Sequence, residues 1–173
     1  MNLYEIRKRA GYEPNTPISQ KNAVRTWLQS LRADYQYAVT LTIKPSVPVL
    51  TERGAHIRRI TRRDCDAIAT RFIQKLNRQV FGKAAERYNK TLKFIPVIEG
   101  ERSCKNLHFH FAIGGLPRSY LPNQLPAMVR NAVNLVRELD EQHDVQVMDG
   151  GWIEYFTKEL GRNDTDNVLW QLA

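Results

Sequence analysis

The chain has 173 residues and a formal net charge of +8 at pH 7, and 42% of its residues are hydrophobic. This length is typical of a single domain with one hydrophobic core, and the composition excludes a disordered or low-complexity polypeptide. No stretch approaches the ~20 apolar residues of a membrane span, and the N-terminal residues lack the apolar region of a signal peptide. The two cysteines, Cys65 and Cys104, cannot make a disulfide framework. We therefore expect a cytoplasmic protein that makes no membrane contact.

The excess of positive charge favours a polyanionic partner. Lys and Arg total 26 residues against 18 Asp and Glu, and the sequence pI is about 9.7. Arginine predominates among the cations, and its planar guanidinium suits bidentate contacts with phosphate. Nucleic acid is the polyanion that this composition favours.

Hydrophobic patterning predicts alternating helices and strands. Pro45 and Pro48 end the first strand, and the basic segment 49–63 is expected to be an irregular surface loop. In chain order the predicted elements are a helix from Ser19 to about Leu31, a strand over 37–44, a helix from Asp64 through Val80, strands over 92–99 and 107–113, a helix over 123–139, a strand around 145–147, a helix over 152–160 and a tail over 164–173.

The six central elements follow the order β-α-β-β-α-β. This order predicts an α+β protein of the ferredoxin-like, split βαβ arrangement, with a central antiparallel sheet and helices on one face. The helix before these elements and the tail after them flank the predicted sheet.

His108 and His110 are the sharpest chemical feature of the sequence. Side chains two residues apart on a strand point to the same face, so both imidazoles can reach one metal ion. Leu107, Phe109 and Phe111 share the opposite face, which we expect the helices to cover. Because the strand is otherwise apolar, two polar rings on one face need a partner or solvent. We expect that face of the sheet to be open and to hold a metal ion.

A third ligand is expected from the preceding strand. Glu99 ends the apolar run 94–98, and a carboxylate at the end of a buried strand is costly unless a cation accompanies it. Glu101, in the following turn, is the alternative ligand. Two imidazoles and one carboxylate suit Mn²⁺, Mg²⁺ is plausible from its availability, and Zn²⁺ stays open.

Tyr155 and Lys158 lie three residues apart in the last predicted helix, and are therefore neighbours on its surface. A phenol with an ordinary pKa of about 10 is a weak nucleophile until its proton is removed or its anion is stabilised. A nearby ammonium group and a metal ion both favour the phenolate form. The pair is therefore a candidate nucleophile with a supporting cation.

Three segments together resemble the motifs of the HUH endonucleases, and within them the single-tyrosine rolling-circle replication initiator (Rep) proteins of plasmids and phages. Residues 37–43, Tyr-Ala-Val-Thr-Leu-Thr-Ile, resemble the first motif, and Leu-His-Phe-His over 107–110 resembles the metal-binding second motif. Tyr-Phe-Thr-Lys over 155–158 resembles the third. The tyrosine follows the histidines, unlike in conjugative relaxases, and Lys158 favours Rep proteins over HUH transposases.

The resemblance implies a specific activity. Tyr155 would attack a phosphodiester of single-stranded DNA, leaving a 5′-phosphotyrosine and a free 3′-hydroxyl that primes replication. His108, His110 and Glu99 would hold Mn²⁺ or Mg²⁺, and Lys158 would position or stabilise the reacting groups. The joined strands would be released by reversal of the same step.

The resemblance also implies partners and a domain layout. The substrate would be single-stranded DNA or a hairpin at a replication origin. A separate host helicase would open the duplex, because no phosphate-loop motif occurs in the chain. The endonuclease domain would span 36–161, after a helical extension over 1–35 and before a tail over 162–173. The residues expected to contact DNA are Thr40, Thr42, Lys44, Arg58, Arg59 and Arg62.

Three other functions remain open from the sequence. An HUH transposase or a domesticated relative would use the same chemistry on different DNA ends. A non-catalytic ferredoxin-like module would bind RNA or DNA through stacking aromatic side chains and need no metal. A metal-dependent hydrolase, in which Tyr155 is structural, would turn over repeatedly without a covalent adduct.

Overall fold

The structure contains the helices and strands that the periodicity predicts between residues 19 and 147, with two further strands and one further short helix. The computed structural model describes residues 17–52, 54–100, 106–120, 122–149, 151–153 and 167–173. The elements are α1 (Pro17–Ser30), β1 (Tyr35–Ile43), β2 (Ser46–Thr51), β3 (Gly54–Arg59), α2 (Cys65–Phe81), α3 (Lys83–Arg87), β4 (Lys93–Glu99), β5 (His108–Gly114), α4 (Leu125–Asn134) and β6 (Leu139–Val147), with 3₁₀ turns at Arg32–Asp34, Arg62–Asp64, Pro122–Gln124 and Trp170–Leu172.

Four of the strands form one antiparallel sheet, so the protein is α+β as predicted. The strand order is β4-β5-β1-β6, and every neighbouring pair is antiparallel. The register pairs Thr40 with His110 and Thr42 with His108 across β1 and β5. It also pairs Glu99 with His108 across β4 and β5.

Helices α2 and α4 cover one face of this sheet. The apolar positions predicted for α2 (Ile68, Phe72, Leu76 and Val80) are all buried. They pack with alternate residues of the strands, including Phe109 and Phe111 of β5. The ring of Phe111 lies 5.1 Å from that of Phe72 and 5.6 Å from that of Phe109. This aromatic contact ties α2 to the centre of the sheet.

The opposite face of the sheet was expected to be open, and that expectation is wrong. A second apolar cluster covers part of it, and its members are Leu28, Ala38, Ile95, Val97, Ala112, Trp152, Ile153 and Val168. The covering side chains come from α1, from residues 151–153 and from residues 167–173, all of which lie outside the sheet strands. Ala38 and Ala112 are small, so these segments can approach the sheet closely.

The basic segment 49–63 was expected to be an irregular loop, and most of it is instead a hairpin. Strands β2 and β3 form a two-stranded sheet in which Ser46 pairs with Arg59 and Thr51 pairs with Gly54. Pro48 is compatible with β2 because each strand of a two-stranded sheet has an unpaired edge. Arg53 lies outside the described residues.

The helix predicted over 123–139 ends earlier, at Asn134. Bonds of the i to i−3 kind follow it: the Val136 N–H donates to the Val133 carbonyl, and the Leu139 N–H to the Val136 carbonyl. These tight turns end the helix. Leu139 is buried as the first residue of β6, which is longer than predicted. Val136 and Leu139 fit the helical spacing of apolar residues, but they reach the core from a turn and from a strand. The apolar spacing therefore extends beyond the end of the helix.

The last seven residues are packed against the sheet, whereas the sequence predicts a tail there. Val168 forms a β-bridge with Val97 at the outer edge of β4, and both Val168 and Leu169 are buried. The domain boundaries at 35 and 161 stay predictions. In the described part of the chain, no helix is long and apolar enough to cross a membrane.

Candidate metal centre

The β4–β5 hairpin brings together the three side chains that the sequence nominates as ligands. Glu99 is the last residue of β4 and lies opposite His108, the first residue of β5. Val97 lies opposite His110, so Glu99 and both histidines project from the same face. Gly100 begins the connection with φ of 100°, and a Cβ there would lie 2.5 Å from the Asn106 carbonyl oxygen. Glycine is therefore needed for the chain to turn at this point.

Both histidine rings point at one carboxylate oxygen. The Oε2 atom of Glu99 lies 3.2 Å from Nε2 of His108 and 3.1 Å from Nε2 of His110. Glu99 and His110 are buried, and the His108 side chain is 17% exposed. The three groups form the one cluster of possible metal ligands among the described residues. Glu101, the alternative acidic ligand, lies outside the described residues.

The second nitrogen of each ring is held by a neighbour. The Asn106 carbonyl lies 3.0 Å from Nδ1 of His108, and the Thr40 hydroxyl lies 3.0 Å from Nδ1 of His110. Because a carbonyl oxygen only accepts, Nδ1 of His108 carries the proton in this bond. A neutral His108 ring with this proton would direct its Nε2 lone pair toward Glu99. Fixing of the outer nitrogen in this way is common for histidines that bind metals.

The donor set fits a divalent cation. The Nε2 atoms of His108 and His110 and one carboxylate oxygen of Glu99 face one another in a mostly buried space, and a cation or ring protons must lie between them. Imidazole favours transition metals and carboxylate favours harder ions, so the mixed set suits Mn²⁺ better than Mg²⁺. A single ion held by three side chains keeps further positions open for a substrate oxygen or water.

Trp152 packs against the centre. Its ring lies 5.7 Å from that of His110, in an edge-to-face arrangement, and the side chain is 8% exposed. The Asp149 carboxylate accepts the backbone N–H of Gly151 and of Trp152, each at 3.1 Å, which fixes the start of the helical residues 151–153. Tyr155 and Lys158 follow this segment and lie outside the described residues.

The six predicted DNA-binding residues fall into separate groups. Thr40 bonds the His110 ring, and Thr42 is paired with His108 along the sheet. Arg58 is bound to Asp64 at 2.5 Å, and this hydrogen bond, together with the Thr61 backbone N–H, holds the pKa of Asp64 below its usual range. The remaining three residues line a common cleft: Lys44, Arg59 and Arg62.

The sequence did not identify two contacts of the centre. The Asn106 contact uses a backbone carbonyl, which any residue type supplies, so no sequence signal marks it. Trp152 stands three residues before Tyr155, and an aromatic residue at that spacing was a signal that could have been used.

Comparisons of the chain with models of known protein families, with curated protein sequences and with solved structures give no match.

Proposed function

We propose that the protein is a metal-dependent endonuclease that nicks and rejoins single-stranded DNA through Tyr155, in the manner of the HUH Rep proteins that its motifs resemble. The observation that carries this proposal is the convergence of His108 and His110 on Glu99 at the end of one hairpin. A cluster of this kind is what the resemblance requires of its second motif.

The sheet supports a ferredoxin-like arrangement for this proposal. With the β2–β3 hairpin set aside, the strands occur along the chain as β1, β4, β5 and β6. In the sheet, β5 lies between β1 and β4, and β1 lies between β5 and β6. Helix α2 connects β1 to β4, and α4 connects β5 to β6. Two βαβ units that interleave in this way are the split βαβ arrangement.

The contact between Trp152 and His110 supports Tyr155 as the nucleophile. Tyr155 follows Trp152 by three residues, so covalent geometry keeps their Cα atoms within about 11 Å of each other. The Trp152 ring already touches a candidate ligand. The length of chain between them therefore allows the Tyr155 phenol to reach the centre.

The proposed step is a transesterification. The Tyr155 oxygen forms a bond to phosphorus as the bond from phosphorus to the 3′ oxygen breaks. The phenol loses its proton, and the departing 3′ oxygen takes one up, so no oxidant or further reactant is needed. Lys158 would stabilise the phenolate. A divalent ion held by Glu99 and the two histidines would polarise a non-bridging phosphate oxygen.

The covalent adduct provides the test. The protein is mixed with a pool of single-stranded oligonucleotides and Mn²⁺, and a DNA–protein adduct is sought on a denaturing gel. We expect an adduct that disappears with Tyr155→Phe and with a chelator. Tyr88→Phe, at an exposed tyrosine outside the three motif segments, is the matched control and should retain the adduct.

Other outcomes would replace the proposal. Cleavage without an adduct, unchanged by Tyr155→Phe, would indicate a metal-dependent hydrolase. Salt-sensitive binding without any cleavage would indicate a binding module. Joining restricted to mobile-element ends would indicate a transposase. A cytoplasmic location and a separate helicase partner belong to the proposal and stand or fall with it.

A further inference from the structure

We propose that a cleft lined by Lys44, Arg59 and Arg62 holds a backbone phosphate of the DNA strand, away from the phosphate that is cleaved. This inference rests on the proposed function. The cleft has a volume of about 330 Å³, which is at the lower end for ligand sites. We call it the basic cleft, and its lining residues are Ile43, Lys44, Pro45, Arg59, Ile60, Thr61, Arg62, Gly100, Asn106 and Leu107.

Backbone hydrogen bonds fix the walls of the basic cleft. The Ile43 N–H donates to the Leu107 carbonyl at 2.9 Å, which joins the end of β1 to the start of β5. The Ile60 N–H donates to the Pro45 carbonyl at 2.9 Å, which closes the base of the β2–β3 hairpin. The cations therefore project from a frame that exists before a ligand binds, and such preorganisation lowers the cost of binding.

The charge of the cleft favours an anion. Three of its described lining residues are cationic and none is acidic. Lys44 donates to the Arg137 carbonyl at 3.1 Å, and Arg62 contacts Asp66 at 3.3 Å, but the Asp66 side chain is half exposed and its pairing is weak. Arg59 is exposed at the rim. Arginine and lysine are the side chains that commonly bind the oxygens of a phosphodiester.

The lining also indicates which part of a nucleic acid the cleft would bind. No aromatic side chain is among the described lining residues, so the cleft offers no platform on which a base could stack. It would therefore contact the strand through phosphate and carry little sequence preference.

The position of the cleft links it to the metal centre. Gly100 directly follows Glu99, and Leu107 directly precedes His108, so both sites lie at the same end of the sheet. Alternation along the strands directs Leu107 to the helix-covered face and His108 to the other face. A strand that passes round this end of the sheet would meet both sites, with the cleft holding a phosphate that flanks the cleaved one.

Binding to a labelled single-stranded oligonucleotide, measured by fluorescence anisotropy in a chelator, tests the inference without any cleavage. We expect Arg59→Gln to weaken binding by about 10-fold and to lower the slope of log affinity against log salt by about 0.7. The control is Arg63→Gln, which removes an exposed cation of the same segment that does not line the cleft. Equal weakening by the two variants would show diffuse attraction and overturn the inference.

Neutral phosphates locate the contact. Each phosphodiester of the oligonucleotide is replaced in turn by a methylphosphonate, and binding is compared for the wild type and Arg59→Gln. We expect one position at which the replacement weakens wild-type binding but has no further effect on the variant. Additive effects at every position would overturn the inference. Competition by a free mononucleotide that displaces the oligonucleotide and depends equally on Arg59 would also overturn the inference, because the cleft would then be a nucleotide-binding site.

The two proposals fail separately. If no adduct forms but the Arg59 coupling is found, the cleft stands and the endonuclease does not. If the adduct forms and no coupling is found, the endonuclease stands and the cleft does not.

Discussion

Strand β5 contributes Phe109 and Phe111 to the sheet face covered by α2 and α4, and it contributes His108 and His110 to the opposite face. The phenylalanines pack within a continuous apolar cluster. The histidines meet a buried carboxylate, a threonine hydroxyl and a tryptophan ring. Phe109, Phe111 and His110 are all fully buried, so burial does not distinguish the two faces. The two faces differ in the neighbours of their buried side chains, which are apolar around the phenylalanines and include polar groups around the histidines.

This comparison separates stability from function. The sheet face covered by α2 and α4 should determine the free energy of unfolding, since it buries large aromatic side chains against one another. The other face should determine metal affinity, and its polar cluster should add little to stability when no ion is bound.

The largest effect on stability is expected from Phe111→Ala. The ring contacts Phe72, Phe94 and Phe109, so its removal leaves a cavity at the centre of the core. We expect the free energy of unfolding in urea to fall by about 3–5 kcal/mol. Phe111→Leu should cost about 1.5 kcal/mol or less. A loss below about 1 kcal/mol for the alanine variant would contradict the assignment of this face.

Glu99→Gln should lower metal affinity and leave stability nearly unchanged. We expect Mn²⁺ affinity to fall by more than about 100-fold, beyond the usual loss for an outer partner of a ligand. In a chelator the free energy of unfolding should stay within about 1 kcal/mol of the wild type, because the amide can donate to a ring Nε2 lone pair. Calorimetric titration and urea unfolding measure the two quantities. Large destabilisation with normal metal affinity would mean that Glu99 is structural.

Thr40→Val tests the contribution of one hydrogen bond on the sheet face that carries His108 and His110. Loss of the hydroxyl that bonds His110 should lower Mn²⁺ affinity by about 10-fold, and Thr40→Ser should restore it. Thr42→Val is the matched control, since this residue is two positions along β1 and its described contacts include no bond to either ring. Equal losses for Thr40→Val and Thr42→Val would show that the strand surface matters rather than this bond.

The smallest expected effect concerns pH and the start of α2. Hydrogen bonds from Arg58 and Thr61 lower the pKa of Asp64 in the folded protein. The unfolded state therefore takes up the proton first, and stability from Asp64 is complete above a pH of about 4 and disappears as the pH falls through the folded pKa. Asp64→Asn should cost about 1 kcal/mol at pH 7, and the difference from wild type should shrink at pH 2. A difference independent of pH would exclude this linkage.

Local patterns were sufficient to predict much of the fold. The apolar stripe of α2, the paired strands β4 and β5 and the threonine strand β1 all depend on alternation or helical spacing within one segment. The grouping of these side chains was predictable for the same reason, since Glu99 ends one strand of a hairpin and His108 begins the other.

Long-range packing was not predictable from such patterns. The cover over the sheet face that carries His108 and His110 comes from Leu28, Trp152 and Val168, which only tertiary structure brings together. The hairpin over 46–59 was not predicted because Pro48 usually interrupts a strand, whereas here it lies in β2 opposite Ile57. Arg58 and Arg59 are separated because they are consecutive residues of β3 and therefore point to opposite faces, and Arg58 pairs with Asp64.

The central claim is that Glu99, His108 and His110 together bind one divalent ion, and a Mn²⁺ titration followed by electron paramagnetic resonance tests it most directly. The wild type should remove one equivalent of Mn²⁺ from the free-ion signal, whereas His110→Ala should remove none over the same range. His143→Ala, at a half-buried position of β6 whose ring Nδ1 contacts the Glu141 carbonyl, serves as the control and should match the wild type. Equal uptake by the wild type and His110→Ala would contradict the account.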